Sequence, residues 1–521
     1  MSRSSKAAKG FATSIVQYAS QILLQALLAP IVLRVAGRET LGAFAAIVQV
    51  LSLLGLVDIA GSWSLERFLA QAMGKDPSGA SFREVFTTAR TIFLLTNTLF
   101  ALLVVLLSLF IGRIFHLSPE VAWQARWALR AIAIWAIVRT PLAAYANALV
   151  AMQDLAVVNM IGTLIGVSRA IAAVALALAG GGLFGLMLAG TIAEAGGLIL
   201  CRVRFKKLSP NLMPGWGMPD RALMREMVGF GGHAMFMNVG NILIARSGNM
   251  LAGLTNGAAV ASTFYTSQTP GMMGYDMIQR FSDSATPGIN ELFGQGDMVR
   301  VRTTMMRMMR MMLALALPLA VGVLLFNRDL VVAWVGEAQY AGRLLTICLA
   351  IYCATFAVQR IAIIHCFVLG WMKLLSATAF LQGAVYFGLA LWLGRRLGLG
   401  GITLSLVVVI IPQNIILWIK LGRQFNLNPL GFISKYLLQS IFPLGSAAGL
   451  AWLVHGHIIV RRHHFQGLLA EMLTFLVVYC VVAYFVLLER LDREDVNRYL
   501  RAALNRGRFV QSLLRRGMMV A

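Results

Sequence analysis

Residues 91–112, TIFLLTNTLFALLVVLLSLFIG, decide the fold. This charge-free run would form a helix of roughly 33 Å at 1.5 Å per residue, which matches a bilayer's hydrocarbon thickness. Hydrocarbon offers no hydrogen-bond partners, so a spanning backbone has to be an α-helix or a closed barrel. The run lacks the in-and-out alternation of a barrel strand, which leaves the helix. Comparable runs recur along the chain. Together they predict spans at 11–36, 41–65, 89–112, 128–150, 156–178, 183–201, 228–253, 258–285, 305–326, 342–366, 373–394, 400–420, 434–454 and 468–488.

Composition agrees with this reading. Of 521 residues, 59% are hydrophobic and 13% charged, about half the charged share of a water-soluble domain. A net charge of +24 would suggest nucleic acid in a soluble protein. Here most Lys and Arg fall in segments that are cytoplasmic if the N-terminus is inside, as the positive-inside rule requires. The chain is therefore expected to keep both termini in the cytoplasm and to bind no nucleic acid. The opening MSRSSKAAKG reads as a cytoplasmic start rather than a cleaved signal. Cys201, Cys348, Cys353, Cys366 and Cys480 lie in predicted spans without CxxC spacing, so neither disulfides nor a metal site is expected. The His455, His457, His463 and His464 loop lacks a completing Cys or carboxylate, and the methionine run at 308–312 reads as packing. No P-loop is present and no cofactor is expected. No predicted outer loop is long enough to carry a soluble catalytic site, which argues against an enzyme.

Two cytoplasmic loops resemble each other: LAQAMGKDPSGASFREVFTTAR after the second span and ELFGQGDMVRVRTTMMRMMR after the eighth. Gly74 to Asp76 and Gln295 to Asp297 stand 221 residues apart, an offset shared by Arg139 and Arg360. Repeats with an even number of spans share one orientation. The expectation is an all-α polytopic membrane protein of about 14 transmembrane helices, with two parallel six-helix halves around a central cavity plus two C-terminal helices. Its parts are an N-terminal half (1–201), a cytoplasmic linker (202–227), a C-terminal half (228–420), two additional helices (421–488) and a basic cytoplasmic tail (489–521). The tail reads either as an amphipathic helix on anionic membrane lipids or as a solvated topology signal.

The segment from Gly37 to Asp76, GRETLGAFAAIVQVLSLLGLVDIAGSWSLERFLAQAMGKD, resembles the start of polysaccharide-exporting flippases. These belong to the multidrug/oligosaccharidyl-lipid/polysaccharide exporter superfamily. Leu41-Gly42 with Phe44, the run from Ser52 to Leu56, Asp58, and Arg67-Phe68-Leu69-Ala70 carry the likeness. Asp58-Ile59-Ala60-Gly61 departs from it, since the family often has Gly two residues after the Asp. The resemblance implies a flippase that moves a polyprenyl-diphosphate-linked oligosaccharide across the bacterial inner membrane for lipopolysaccharide or exopolysaccharide synthesis. It further implies alternating access, a proton or sodium gradient as drive, and polysaccharide polymerase machinery as partner. A cation-coupled multidrug antiporter of the same superfamily and a membrane-embedded glycan polymerase or glycosyltransferase are the alternatives. The surplus of arginine at depth disfavours the first and the short outer loops the second.

Charges at bilayer depth cost about 2.5–3.5 kcal/mol on the insertion scale, so they face partners or wet cavities. Gln17, Gln21 and Gln25 form a polar stripe suited to sugar hydroxyls or to helix contacts. Asn238, Asn241, Arg246 and Asn249 form another in span seven. Arg246 is the first candidate for a phosphate contact, because a guanidinium binds two oxygens at once and stays protonated; pairing with a carboxylate is its structural reading. Arg139 and Arg360 complete the anion-binding set. Asp58, with no obvious partner, is the candidate for ion coupling. Pro270-Gly271 and Gly274 predict a helix break, and beyond it Asp276, Arg280 and Asp283 form either a cytoplasmic gate or an ion-pair ladder. Arg169 and Glu194, at similar depth on antiparallel helices, are expected to pair.

Overall fold

The computed structural model describes residues 26–76, 78–152, 154–213, 217–458, 464–490 and 492–494, with Ser20, Leu24 and Asn497; side chains at 57–64, 74–75, 230–238, 284–285, 287–288, 455–458 and 464–465 are not described. Among these residues the regular structure is helical, apart from two single 3-10 turns. In chain order the helices are α1 (Ala26–Val35), α2 (Gly37–Leu54), α3 (Leu56–Lys75), α4 (Ala80–Ile114), α5 (Pro119–Val138), α6 (Thr140–Ala151), α7 (Leu155–Leu178) and α8 (Gly182–Leu208). There follow α9 (Arg221–Arg246), α10 (Gly248–Asn256), α11 (Ala258–Gly294), α12 (Met298–Val335), α13 (Arg343–Val368), α14 (Met372–Phe425), α15 (Pro429–Ile458) and α16 (His464–Val486).

The chain is an all-α, multi-pass membrane protein. Nine helices among the described residues are long and apolar enough to cross a bilayer, or ten if α5 and α6 form one bent span. The fourteen expected spans exceed that count for local reasons. Predicted spans eleven and twelve fall inside the single 54-residue α14, interrupted at Gly398 with φ 63° and ψ −147°, a region open to glycine. The more polar α9 and α11, at predicted spans seven and eight, are not apolar enough to count, and most of predicted span one (11–36) lies outside the described residues.

Two further expectations are corrected. Span seven is not one helix, since it stops at Arg246 and restarts at Gly248. Conversely, α11 runs helical through Pro270 and Gly271. The glycines there serve close packing: a methyl group on Gly271 would lie 2.7 Å from the Leu349 side chain, and one on Gly274 2.3 Å from Leu319.

Contacts divide the chain into two compact units. The first comprises Met1–Met273, Asn327–Tyr352 and Gly370–Gln413; the second comprises Gly274–Phe326, Cys353–Leu369 and Asn414–Ala521. In the first unit, small residues bring helix backbones together, as apolar surroundings demand. A methyl group on Gly42 would sit 1.7 Å from the Ala258 carbonyl oxygen, and one on Gly240 2.1 Å from that of Ala379. An aromatic cluster of Phe82, Phe86, Tyr145 and Phe205 fills another part of this unit, with Phe82 and Phe205 stacked at 6.0 Å. In the second unit, Tyr275 packs on Phe356 at 3.9 Å. There Asp492, fully buried, accepts from Arg307 at 2.5 Å and forms an ion pair with Arg310 at 3.0 Å, anchoring the start of the tail.

The repeated loops share a device. Asp76 accepts from the backbone N–H groups of Ser78 and Ser81 at 2.9 Å each, at the start of α4. Asp297 accepts from the Arg300 N–H at 3.0 Å, at the start of α12. Carboxylates here satisfy donors that a helix N-terminus leaves without partners.

Replacing Gly42 with Leu is expected to abolish monodisperse protein, because a backbone carbonyl cannot yield as a side chain can; fluorescence-detected gel filtration reads this. The hydrogen bonds from Ser78 and Ser81 hold the Asp76 carboxyl well below the usual carboxylate range. Its contribution is therefore present above the unfolded value of about 4 and lost as pH falls below it. Asp76→Ala is expected to unfold at lower temperature than wild type at pH 7, and the difference should shrink as pH falls through 4.

Candidate functional site

A polar site in the first unit forms where a span breaks. Pro141 has no N–H to donate to Ile137 and its ring crowds the preceding turn, so the helix cannot continue through it unaltered. The chain bends by 63° between α5 and α6, and Arg139 is the joint residue, with φ −70° and ψ −18°. Its carbonyl starts α6 by accepting from Leu142 at 2.8 Å and Ala143 at 3.0 Å.

The Arg139 side chain ties this joint to two other helices. Nη1 donates to Glu194 Oε1 on α8 at 2.6 Å, and Nη2 donates to Asn97 Oδ1 on α4 at 3.2 Å. Glu194 Oε2 accepts from the Trp135 indole N–H at 2.9 Å. Asn97, itself buried, spends its amide N–H on the Phe93 carbonyl at 2.9 Å, which orients its oxygen toward the guanidinium. The expected Arg169–Glu194 pair is thus overturned: both carboxylate oxygens are engaged from α5, which packs beside α8. Asn97 and Trp135 were not singled out by sequence, although an amide within the run 91–112 is a usable signal.

Arg360, 221 residues on, also meets a carboxylate. In the second unit its Nη2 bonds Asp283 and its Nε donates to Ser282 Oγ at 3.3 Å. Asp283 is therefore held from α13. Asp276 and Arg280 are exposed on the same helix.

Arg246 differs. It closes α9, where the negative end of the helix dipole favours a cation. It is exposed and, among the described residues, forms no ion pair or hydrogen bond. It stands at the interruption between α9 and α10. The interruption at Ser247 changes the predicted stripe. Asn241 remains exposed on α9, whereas Asn249 is buried on α10 and accepts from Gln268 Nε2 at 2.8 Å. Beside it the Met250 N–H donates to Gln49 Oε1 at 2.9 Å. Asn238 and Asp58 lie on α9 and α3 with side chains outside the described set, and Gln17, Gln21 and Gln25 lie outside the described residues.

Breaking one member of the α5–α8 pair leaves a charge half-buried without its partner. Side-chain exposures of 23% for Arg139 and 31% for Glu194 reduce the cost from that of a dry pair to roughly 1–3 kcal/mol. Glu194→Ala is expected to lower thermal stability accordingly. Arg139→Gln combined with Glu194→Gln is expected to recover part of the loss, as differential scanning fluorimetry would show.

The fold is similar to that of solved structures. An inward-closed structure of the lipid II flippase MurJ is similar over 91% of this chain and 98% of its own, with TM-score 0.68 and 14% identity. An inward-facing multidrug resistance MATE family transporter of the MOP superfamily matches over 79% and 98%, with TM-score 0.64 and 14% identity. A mutant of the Vibrio cholerae MATE transporter VcmN matches over 82% and 99%, with TM-score 0.59 and 16% identity. At such identities the likeness establishes a shared fold. No curated protein matches by sequence. Residues 31–341 match the family described as polysaccharide biosynthesis protein, so the chain belongs to that family.

Proposed function

We propose that this protein is a flippase that carries a polyprenyl-diphosphate-linked oligosaccharide across the bacterial inner membrane for lipopolysaccharide or exopolysaccharide synthesis. Both termini are cytoplasmic, two six-helix halves alternate access around the cargo, and a proton or sodium gradient drives the cycle. The observation that carries the reading is Arg246: a guanidinium in the predicted seventh span, at the interruption between α9 and α10, exposed and without a partner among the described residues. Such a cation costs about 2.5–3.5 kcal/mol unless water or an anionic ligand meets it. A diphosphate is the fitting anion, because the planar fork of arginine grips two of its oxygens and the bond can be given back to water. Arg139 and Arg360, each held by a carboxylate, complete the anion-binding set. Asn241 and the glutamines at 17, 21 and 25 suit sugar hydroxyls, and Asp58 is the ion-coupling group. The cluster of Asp276, Arg280 and Asp283 acts as the cytoplasmic gate.

A deletion strain is expected to accumulate polyprenyl-linked glycan accessible from the cytoplasmic side. Complementation with Arg246→Ala should reduce surface glycan at least tenfold at equal membrane expression. Unchanged export would remove Arg246 from the site. Absence of lipid-linked glycan accumulation together with altered drug sensitivity would replace the flippase reading with that of a multidrug antiporter.

A further inference from the structure

Arg169 stands midway along α7, and the sequence alone assigns it to Glu194. In the structure Glu194 belongs to Arg139 and Trp135, and Arg169 has neither an ion pair nor a hydrogen bond among the described residues. It lies about 13 Å, at 1.5 Å per residue, from the Leu178 end of its helix. That distance is long for its side chain to reach a membrane surface.

Its direction excludes the simplest explanation, that it faces lipid. At 100° per residue, the buried Ile161, Ala173 and Ala177 (8%, 3% and 1% exposed) stand at about −80°, +40° and +80° from Arg169. Met160, Leu164, Ile171 and Leu178, all more than half exposed, stand at about 180° to 220°. Arg169 is therefore at the centre of the protein-facing side of α7, yet it is exposed. An exposed residue on an interior face borders open space.

Glycines keep that space open. Gly166, one turn before Arg169, has no atom within 4 Å of where a methyl would stand. At Gly190 on α8 the one such neighbour is Arg169 Nε itself, at 4.0 Å. Glu194 stands one turn beyond Gly190, so a single carboxylate lies near two guanidinium groups. With Arg139 taking it, the three side chains carry one uncompensated positive charge.

We propose that Arg169 is an oxyanion-binding residue of the first unit, taking phosphate oxygens of an anionic cargo while Glu194 neutralises Arg139. The assignment rests on the flippase reading and deepens it, since it adds a phosphate contact on α7 where Arg246 supplies one on α9. The shared chemistry is a diphosphate, whether on a prenyl lipid or free.

The test is a binding titration of the full-length protein in nanodiscs, with farnesyl diphosphate in one arm and inorganic pyrophosphate in the other. Wild type is expected to bind the lipid diphosphate. Arg169→Ala should weaken that binding at least tenfold, and Arg169→Lys, which keeps the charge without the fork, should fall between them. Binding of pyrophosphate with the same dependence on Arg169 would make the diphosphate alone the recognised group; binding of the lipid form only would require the prenyl chain as well. Each supports the assignment. Arg169→Lys also guards against misfolding, since it keeps the cation in place. Wild-type affinity in a monodisperse Arg169→Ala variant would overturn the role of Arg169 and leave the flippase reading standing. If wild type binds neither probe, both fall.

Discussion

Hydrocarbon neither donates nor accepts hydrogen bonds, so each polar group that a helix carries into the bilayer has to be met by protein, by water in a cavity, or by a ligand. The α5–α6 joint shows the first solution. Pro141 breaks the helix, Arg139 stands at the break, and its guanidinium joins Asn97 and Glu194 on two neighbouring helices. Because the broken backbone and the charged side chain occur at one residue, a single network settles the charge and fixes the bend at three helices. Arg360 repeats the solution in the second unit with Asp283 and Ser282.

Packing follows from the same solvent. Lipid tails are as apolar as leucine, so helices gain little by hiding apolar surface from lipid and are held by close contact instead. Gly42 and Gly240 allow backbone approaches that no larger residue would tolerate. Outside the spans, ordinary aqueous chemistry resumes, and the helix starts after the two related loops are capped by Asp76 and Asp297. The buried Asp492, held by two arginines, fixes the root of the basic tail in the second unit.

Arg246, at the interruption between α9 and α10, and Arg169, on the protein-facing side of α7, differ from Arg139 and Arg360 in having no partner among the described residues. Under the flippase reading the contrast has a use. Arginines already paired with carboxylates hold the helices in position, while unpaired ones remain available to an anion that must be bound and then released. The carboxylates temper the positive interior, which keeps binding from becoming irreversible.

The sequence by itself determined the class of protein and most helix positions, because hydrophobicity summed over about twenty residues is a local quantity that needs no knowledge of neighbours. The run 91–112 was readable as a span in this way, and the related loops at Asp76 and Asp297 could be matched because capping acts within one turn. Partner choice was not readable. Arg169 and Glu194 have the right depth and spacing along the chain, but the helix packing gives Glu194 to Arg139. The helix interruption at Ser247 and the continuity of α11 through Pro270 were equally hidden, since a proline or glycine supplies only a tendency that packing can override. Which charge meets which depends on how helices pack sideways, a relation among distant segments, and the tertiary structure alone decided it.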